Sequence, residues 1–239
     1  MAAEVVAGPN YGLDSPHTVR SMFWRGAWTL AFALALFFMN RAEYPGPAAH
    51  LLIAVGVIGA AFLAAGFYMI WSSRVAKLQV RDQILDSLQL RGDERVLDVG
   101  SGTGMMLIGA AKRLKSGRAT GVDFSGAVET AKQNAKLEGI AEKIRIDSGT
   151  PAKLVYPDGH YDAVVSLLAL HQIGDEDERA QLVREMFRVL KPGGRLVIFD
   201  TRGVNQYAAT LREGGAQQVE LSPPRLLWCL PARTLAARK

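Results

Sequence analysis

Two long uncharged runs stand apart from a remainder in which apolar positions recur at strand and helix periods. Met22–Met39 is apolar except for Arg25, and Leu51–Trp71 carries no charge. Each approaches the roughly 20 residues that an α-helix needs to cross hydrocarbon. Arg25 stands near the end of its run, where a long side chain reaches the headgroups. Trp24, Trp28, Tyr68 and Trp71 gather near the ends on one side and Tyr44 near the other, as an aromatic belt would. The link NRAEYPGPAAH is short and breaks helix, so the two runs predict a transmembrane hairpin. Some 20 residues precede the first run and a second follows it, which argues against a cleaved signal peptide. The plainer alternative is a buried helical hairpin in a soluble protein.

After Trp71 the pattern changes. Val75, Leu78, Ile84, Leu85 and Leu88 fall at helical spacing, and strands then alternate with helices. Strands are expected at Val96–Val99, Ala119–Val122, Ile144–Ile146, Ala163–Leu168 and Arg195–Phe199. Helices are expected at Met105–Leu114, Ala127–Leu137 and Asp177–Leu190, the last leading through KPGG into the fifth strand. A helix near Gln206–Arg212 and extended stretches at Gln217–Leu221 and Arg233–Ala237 complete the order. This predicts an α/β fold, a doubly wound Rossmann-like sheet of about seven strands whose last strands run antiparallel. The expected organisation is an N-terminal segment (1–21), the hairpin (22–71), a connecting amphipathic helix (72–92) and the α/β domain (93–239).

Charge orients the hairpin. Arg20 and Arg25 precede it and Arg74, Lys77 and Arg81 follow it, whereas its loop holds only Arg41 beside Glu43. The positive-inside rule then puts both termini and the whole α/β domain on the cytoplasmic side of the cytoplasmic membrane. The formal net charge of +5 fits juxtamembrane cations facing anionic lipid as well as it fits nucleic acid. The lone Cys229 permits neither an internal disulfide nor a CxxC metal site, and no metal is expected. Small residues recur every fourth position at Ala27, Ala31 and Ala35 and at Gly56, Ala60 and Ala64. They could pack the hairpin on itself or pack two copies into a homo-oligomer.

Chemistry enters at RVLDVGSGTGMM. Glycines fall at Gly100, Gly102 and Gly104, and Met105 stands where a dinucleotide fingerprint needs its third glycine. No lysine followed by Ser or Thr is present to make a Walker loop. The D-x-G-x-G-x-G pattern, GVDFS at Gly121–Ser125, YPDGHYDAVVS and EMFRVLKPGGRLVIFD occur in order. Together they resemble class I S-adenosylmethionine-dependent methyltransferases, in the small-molecule branch that contains quinone-biosynthesis enzymes. NYGLDSP ahead of a two-span hairpin resembles a bacterial subgroup with a membrane anchor.

The resemblance covers about Arg91 to the C-terminus and implies S-adenosyl-L-methionine as cofactor, with S-adenosyl-L-homocysteine as product. It implies that Asp98, Gly100, Ser101, Gly102 and Gly104 form the cofactor loop. It further implies that Asp123 receives the ribose hydroxyls, Phe124 packs on adenine, and Gly149, Thr150 and Ser166 complete the site. The family often places an acid where this chain has Thr150.

His171, just past the fourth strand, is the candidate catalytic base, or else a histidine that hydrogen-bonds its loop. Tyr11, with Asp14 and His17, is a second catalytic candidate if the N-terminal segment folds back. In the plainer account Ser15 caps a helix that has Pro16 in its first turn. The expected acceptor is a small lipophilic or amphiphilic molecule methylated on O or N, its pocket walled partly by the apolar LLWCL stretch. Membrane lipid is the expected surrounding partner. Nucleic-acid methylation is disfavoured because the (N/D/S)PP(Y/F) box is missing after the fourth strand. Protein or peptide methylation and an inactive cofactor-binding scaffold remain alternatives.

Overall fold

The computed structural model describes residues 8–13, 15–39, 46–227 and 230–239. Asp14, Arg41, Glu43, Tyr44, Trp228 and Cys229 lie outside them, so the expectations attached to those positions have no structural counterpart. The described residues form two compact units: one holds Leu13–Lys77 and Leu227, the other the residues up to Gly12 with Leu78–Leu226 and Leu230–Lys239.

In the first unit, α1 (Pro16–Met39) and α2 (Gly46–Trp71) pack along one another, and a π-helical turn, Ser72–Ala76, follows α2. Two helices, Pro16–Phe38 and Ala49–Ser87, are long and apolar enough to cross a membrane. Trp24, Trp28, Phe32, Ile53, Val57 and Phe67 are exposed, an apolar surface that water would penalise. Of the two uses the sequence leaves open for the small-residue rows, packing the hairpin on itself falls to other residues. Ala27, Ala31, Ala35, Ala60 and Ala64 stay exposed, and Gly56 has open space beside it. Contact is made where Gly26 faces Leu63, Gly59 faces Leu30 and Gly66 faces Phe23. Each large side chain fills the notch left by a glycine, and Phe23 meets Phe67 edge-on at 5.0 Å.

The second unit is built on an eight-stranded sheet of order β3-β2-β1-β4-β5-β8-β6, with β7 paired to β8. Its strands are β1 (Arg95–Val99), β2 (Arg118–Asp123), β3 (Ile144–Ser148), β4 (Tyr161–Leu167), β5 (Leu190–Asp200), β6 (Gln217–Leu221), β7 (Arg225–Leu227) and β8 (Leu230–Arg238). The first five pair in parallel, and β8 runs antiparallel to β5 and β6. Strand β7 has no counterpart in the expected order; its last two residues, Leu226 and Leu227, open the stretch read as an apolar wall. The helices are α3 (Lys77–Ser87), α4 (Met105–Arg113), α5 (Val128–Leu137), α6 (Glu176–Val189) and α7 (Val204–Glu213).

Near-continuous burial of Val96–Val99 and Ala163–Leu167 is what a strand covered on both faces requires. Helix α6 starts at Glu176, not Asp177, because the Asp175 side chain accepts the Glu178 N–H at 2.8 Å and caps it. KPGG is not a simple turn before β5. Leu190 already pairs with Tyr161 and Arg195 with Ala163, so residues 191–194 bulge out opposite Asp162. Sheet order reverses between β1 and β4, and a crevice forms there at the carboxyl ends of the strands.

Candidate cofactor and active site

The loops after β1, β2, β3 and β4 converge on a cavity of about 440 Å³, within the roughly 300–1,000 Å³ of small-molecule sites. Gly100, Gly102, Asp123, Phe124, Gly149 and Thr150 line it, all of them expected cofactor residues. The loop geometry explains the glycines. Gly100 has φ 78°, and a Cβ there would overlap that of Ala169 on the opposite wall. Gly104 caps α4 at φ 84° and, having no side chain, satisfies none of the first-turn N–H groups itself.

Asp123 is buried at the end of β2 and ties the site together. Its Oδ1 accepts the Gly102 N–H at 3.1 Å and the Ser125 hydroxyl at 2.8 Å, and its Oδ2 accepts the Ala127 N–H at 2.8 Å. A carboxylate offers about four acceptor positions, so room remains for a further donor. Its carbonyl accepts the Gly149 N–H at 3.1 Å, which fixes the loop after β3 against the loop after β2.

The other expected cofactor residues lie behind this wall. Asp98 is fully buried, and burial pushes its carboxyl up to about 7 despite the Leu107 N–H, with the nearby Asp123 charge adding to the rise. Asp98 Oδ2 and the Ser101 hydroxyl are buried without a partner among the described residues. Unpaired polar atoms beneath a glycine loop fit a site built for a polar, charged ligand. Ser166 is committed elsewhere, donating to the Val99 carbonyl at 2.8 Å across the β1–β4 seam.

His171 sits in a 3₁₀ turn, Leu170–Gln172, whose neighbours Ala169, Gln172 and Ile173 line the cavity. Its Nδ1 is 2.6 Å from Asp200 Oδ1, and its backbone N–H donates to Asp200 Oδ2 at 3.0 Å. The Thr201 N–H adds a third bond to Asp200 at 2.7 Å, and Asp200 is wholly buried. With Nδ1 facing a carboxylate, Nε2 is left to exchange protons. Asp200 escaped sequence reasoning; its signal was the acid closing the fifth strand in VIFD. Glu178 and Gln172 also line the cavity without having been singled out.

Tyr11 is placed outside the cavity lining. Its hydroxyl donates to Glu138 at 3.0 Å, and burial, followed by that bond, raises its pKa beyond the ordinary tyrosine range. Beside it, Asn134 clamps the chain: Nδ2 donates to the Asn10 and Thr103 carbonyls, and Oδ1 accepts the Asn10 N–H. The N-terminal strap is thereby bonded to the residue between Gly102 and Gly104. Pro16 opens α1, and Ser15, at φ 52°, accepts the Thr18 and Val19 N–H groups through its carbonyl.

Sheet order and loop cavity define a Rossmann-like domain that takes its ligand at the β1/β4 switch point. Residues 96–194 match the family model described as a methyltransferase domain. A demethylmenaquinone methyltransferase of Lactiplantibacillus plantarum is 33% identical over 128 residues, covering 53% of each chain. A ubiquinone/menaquinone biosynthesis C-methyltransferase of Geotalea daltonii is 36% identical over 108 residues, 44% of this chain and 45% of that one. The chain spans about half the length of the curated relatives it matches. A SAM-dependent methyltransferase structure from Aquifex aeolicus shares the fold at a TM-score of 0.55 and 19% identity, over 67% of this chain and 90% of that one.

Proposed function

We propose that this chain is an integral-membrane methyltransferase that moves a methyl group from S-adenosylmethionine to an oxygen or nitrogen of a small lipophilic or amphiphilic acceptor. When bound, the cofactor supplies an electrophilic methyl on sulfur, and the C–S electron pair stays with the departing thioether. Asp123 would hold the ribose hydroxyls, Phe124 the adenine face, and the Gly100–Gly104 loop the methionine end. Asp98, ionised by a cationic neighbour, would complement the positive charge from below.

One observation carries the reading: the turn that lines the cofactor cavity also holds His171 against Asp200. Asp200 orients the imidazole, so Nε2 can take the acceptor's proton as the new bond to carbon forms. Much of the remaining rate enhancement comes from alignment and exclusion of water. A phenolic acceptor gives this base a second outlet, because the deprotonated ring can also attack through an adjacent carbon. That is in keeping with the C-methyltransferase among the relatives.

Two apolar helices and the flanking cations Arg20, Arg25, Arg74, Lys77 and Arg81 support a membrane anchor with the catalytic domain on the cytoplasmic side. A reporter fused after Lys239 that is active only outside the cytoplasm should stay silent. The activity is tested with full-length protein in nanodiscs, methyl-labelled cofactor and fractionated bacterial extracts. Label should appear in the organic phase. Transfer only to polar, water-soluble acceptors overturns the lipophilic assignment, and no transfer from any fraction overturns the activity.

A further inference from the structure

A second cavity, of about 480 Å³, adjoins the far side of the His171–Asp200 pair and shares no lining residue with the first. Its wall is a run of chain from Asp200 to Gln206, closed by Pro224, Pro231 and Arg233. Two guanidiniums, Arg202 and Arg233, border it. Neither has an ion-pair partner among the described residues; Arg233 donates to the Asn205 amide oxygen at 3.2 Å. The only acid in the lining is Asp200, whose oxygens already receive His171 twice and Thr201 once. Two cations without an ion-pair partner against a single carboxylate leave the cavity with an excess of positive charge.

The backbone acts in the same direction. Helix α7 begins at this cavity with Gly203 as its cap, in the left-handed region, with no side-chain cap and no acid in the first turn. Val204, Asn205 and Gln206, the first turn, are part of the lining. Their N–H groups and the helix dipole favour an anion there, in addition to the two arginines. Opposite, Pro224 and Pro231 give a rigid apolar rim, and the neighbouring Leu226 and Leu230 are 68% and 52% exposed.

We infer that this second cavity is an acceptor subsite for a phosphate-bearing amphiphile. Arg202, Arg233 and the α7 N-terminus hold the phosphate, while the apolar part leaves over the proline rim. The planar forks of the arginines match phosphate oxygens pairwise. The inference deepens the methyltransferase reading by naming its substrate class, but phosphate binding itself is measurable without cofactor.

The test is calorimetry on the full-length protein in nanodiscs of uncharged lipid, with inorganic pyrophosphate, dihexanoyl phosphatidic acid, dihexanoylglycerol and hexanoate as separate probes. Wild type should bind both phosphate probes, and Arg202→Gln with Arg233→Gln should weaken both at least tenfold. Affinity for S-adenosylhomocysteine should stay the same, which also certifies the fold; should the double variant not fold, each single variant should lose at least threefold. Phosphatidic acid binding tenfold tighter than pyrophosphate assigns the phosphate to a lipid headgroup, and equal binding assigns it to a soluble phosphoester. The inference is overturned if neither phosphate probe binds, if the arginine variants bind like wild type, or if dihexanoylglycerol or hexanoate binds as tightly. Phosphate binding without S-adenosylhomocysteine binding would instead remove the methyltransferase reading and leave this subsite standing.

Discussion

Asp98 allows pH to serve as the perturbation. Its carboxyl is buried at the end of β1 with Oδ2 unpaired, and burial raises its pKa to about 7. In the unfolded chain an aspartate titrates near 3.9. The folded state therefore binds the extra proton between about pH 4 and pH 7. Stability is untouched below that window, falls as pH rises through it, and carries the whole penalty above it. A tenfold difference in proton affinity between the folded and unfolded chain is worth about 1.4 kcal/mol, so the window spans roughly 4 kcal/mol, of which roughly 2–3 kcal/mol lies between pH 5 and 8.

Glu138, bonded to Lys112, and Glu185, bonded to Arg188, titrate below the ordinary carboxylate range, and their contribution is already complete by pH 5. Urea unfolding of the full chain in detergent, read by pulse hydrogen exchange at the β1 and β4 amides, isolates the effect. Asp98→Asn should gain on wild type by about 2–3 kcal/mol between pH 5 and 8. The offset at any one pH carries no weight, because a buried amide has hydrogen-bonding needs of its own. A difference that stays flat within about 0.5 kcal/mol from pH 5 to 8 would mean that the carboxyl titrates normally, refuting the dry pocket.

Three further outcomes are expected. Gly100→Ala should lose about 2–4 kcal/mol of stability, from the left-handed backbone and the overlap with Ala169. Adding Ala169→Gly should restore the overlap share, and no recovery by urea titration would show that the clash is not the cause. Asp200→Asn should lower kcat by about 10²–10⁴ while leaving the KM for cofactor unchanged; a matching loss of cofactor affinity would give Asp200 a purely structural role. Asn134→Ala removes three bonds that join Asn10 and Thr103, and should cost about 2–3 kcal/mol. It should also speed hydrogen exchange at Asn10, and unchanged exchange there would mean the strap is held by other contacts.

Period and glycine spacing made most of the α/β order legible, because buried parallel strands and amphipathic helices leave different patterns. The extended stretch Gln217–Leu221 coincides with β6 to the residue. The misses have local causes. Three residues of β7 are too few to show a period, and KPGG carries turn residues whether it makes a turn or a bulge. For the hairpin, periodicity alone left open whether the small-residue rows face the other helix or a second copy. Gly26, Gly59 and Gly66 were chosen by the size of Leu63, Leu30 and Phe23 opposite them, a fact of three dimensions.

The site divides along the same line. Asp123, Phe124, Gly100, Gly102 and Gly149, which the family resemblance picked out, stand at or just past the ends of their strands and line one cavity. Asp200 sits 29 residues from His171, and only the adjacency of β4 and β5 brings them to 2.6 Å. That pairing bears on which end of an acceptor comes first. With three bonds accepted from His171 and Thr201, Asp200 has about one acceptor position left for an ammonium group. The unpaired arginines next to it favour the opposite charge. An acceptor that entered anion first would set its charged end against α7 and leave its nucleophile to meet Nε2 of His171. An amine with no anionic group would meet one remaining acceptor position on Asp200 and two arginines that repel it.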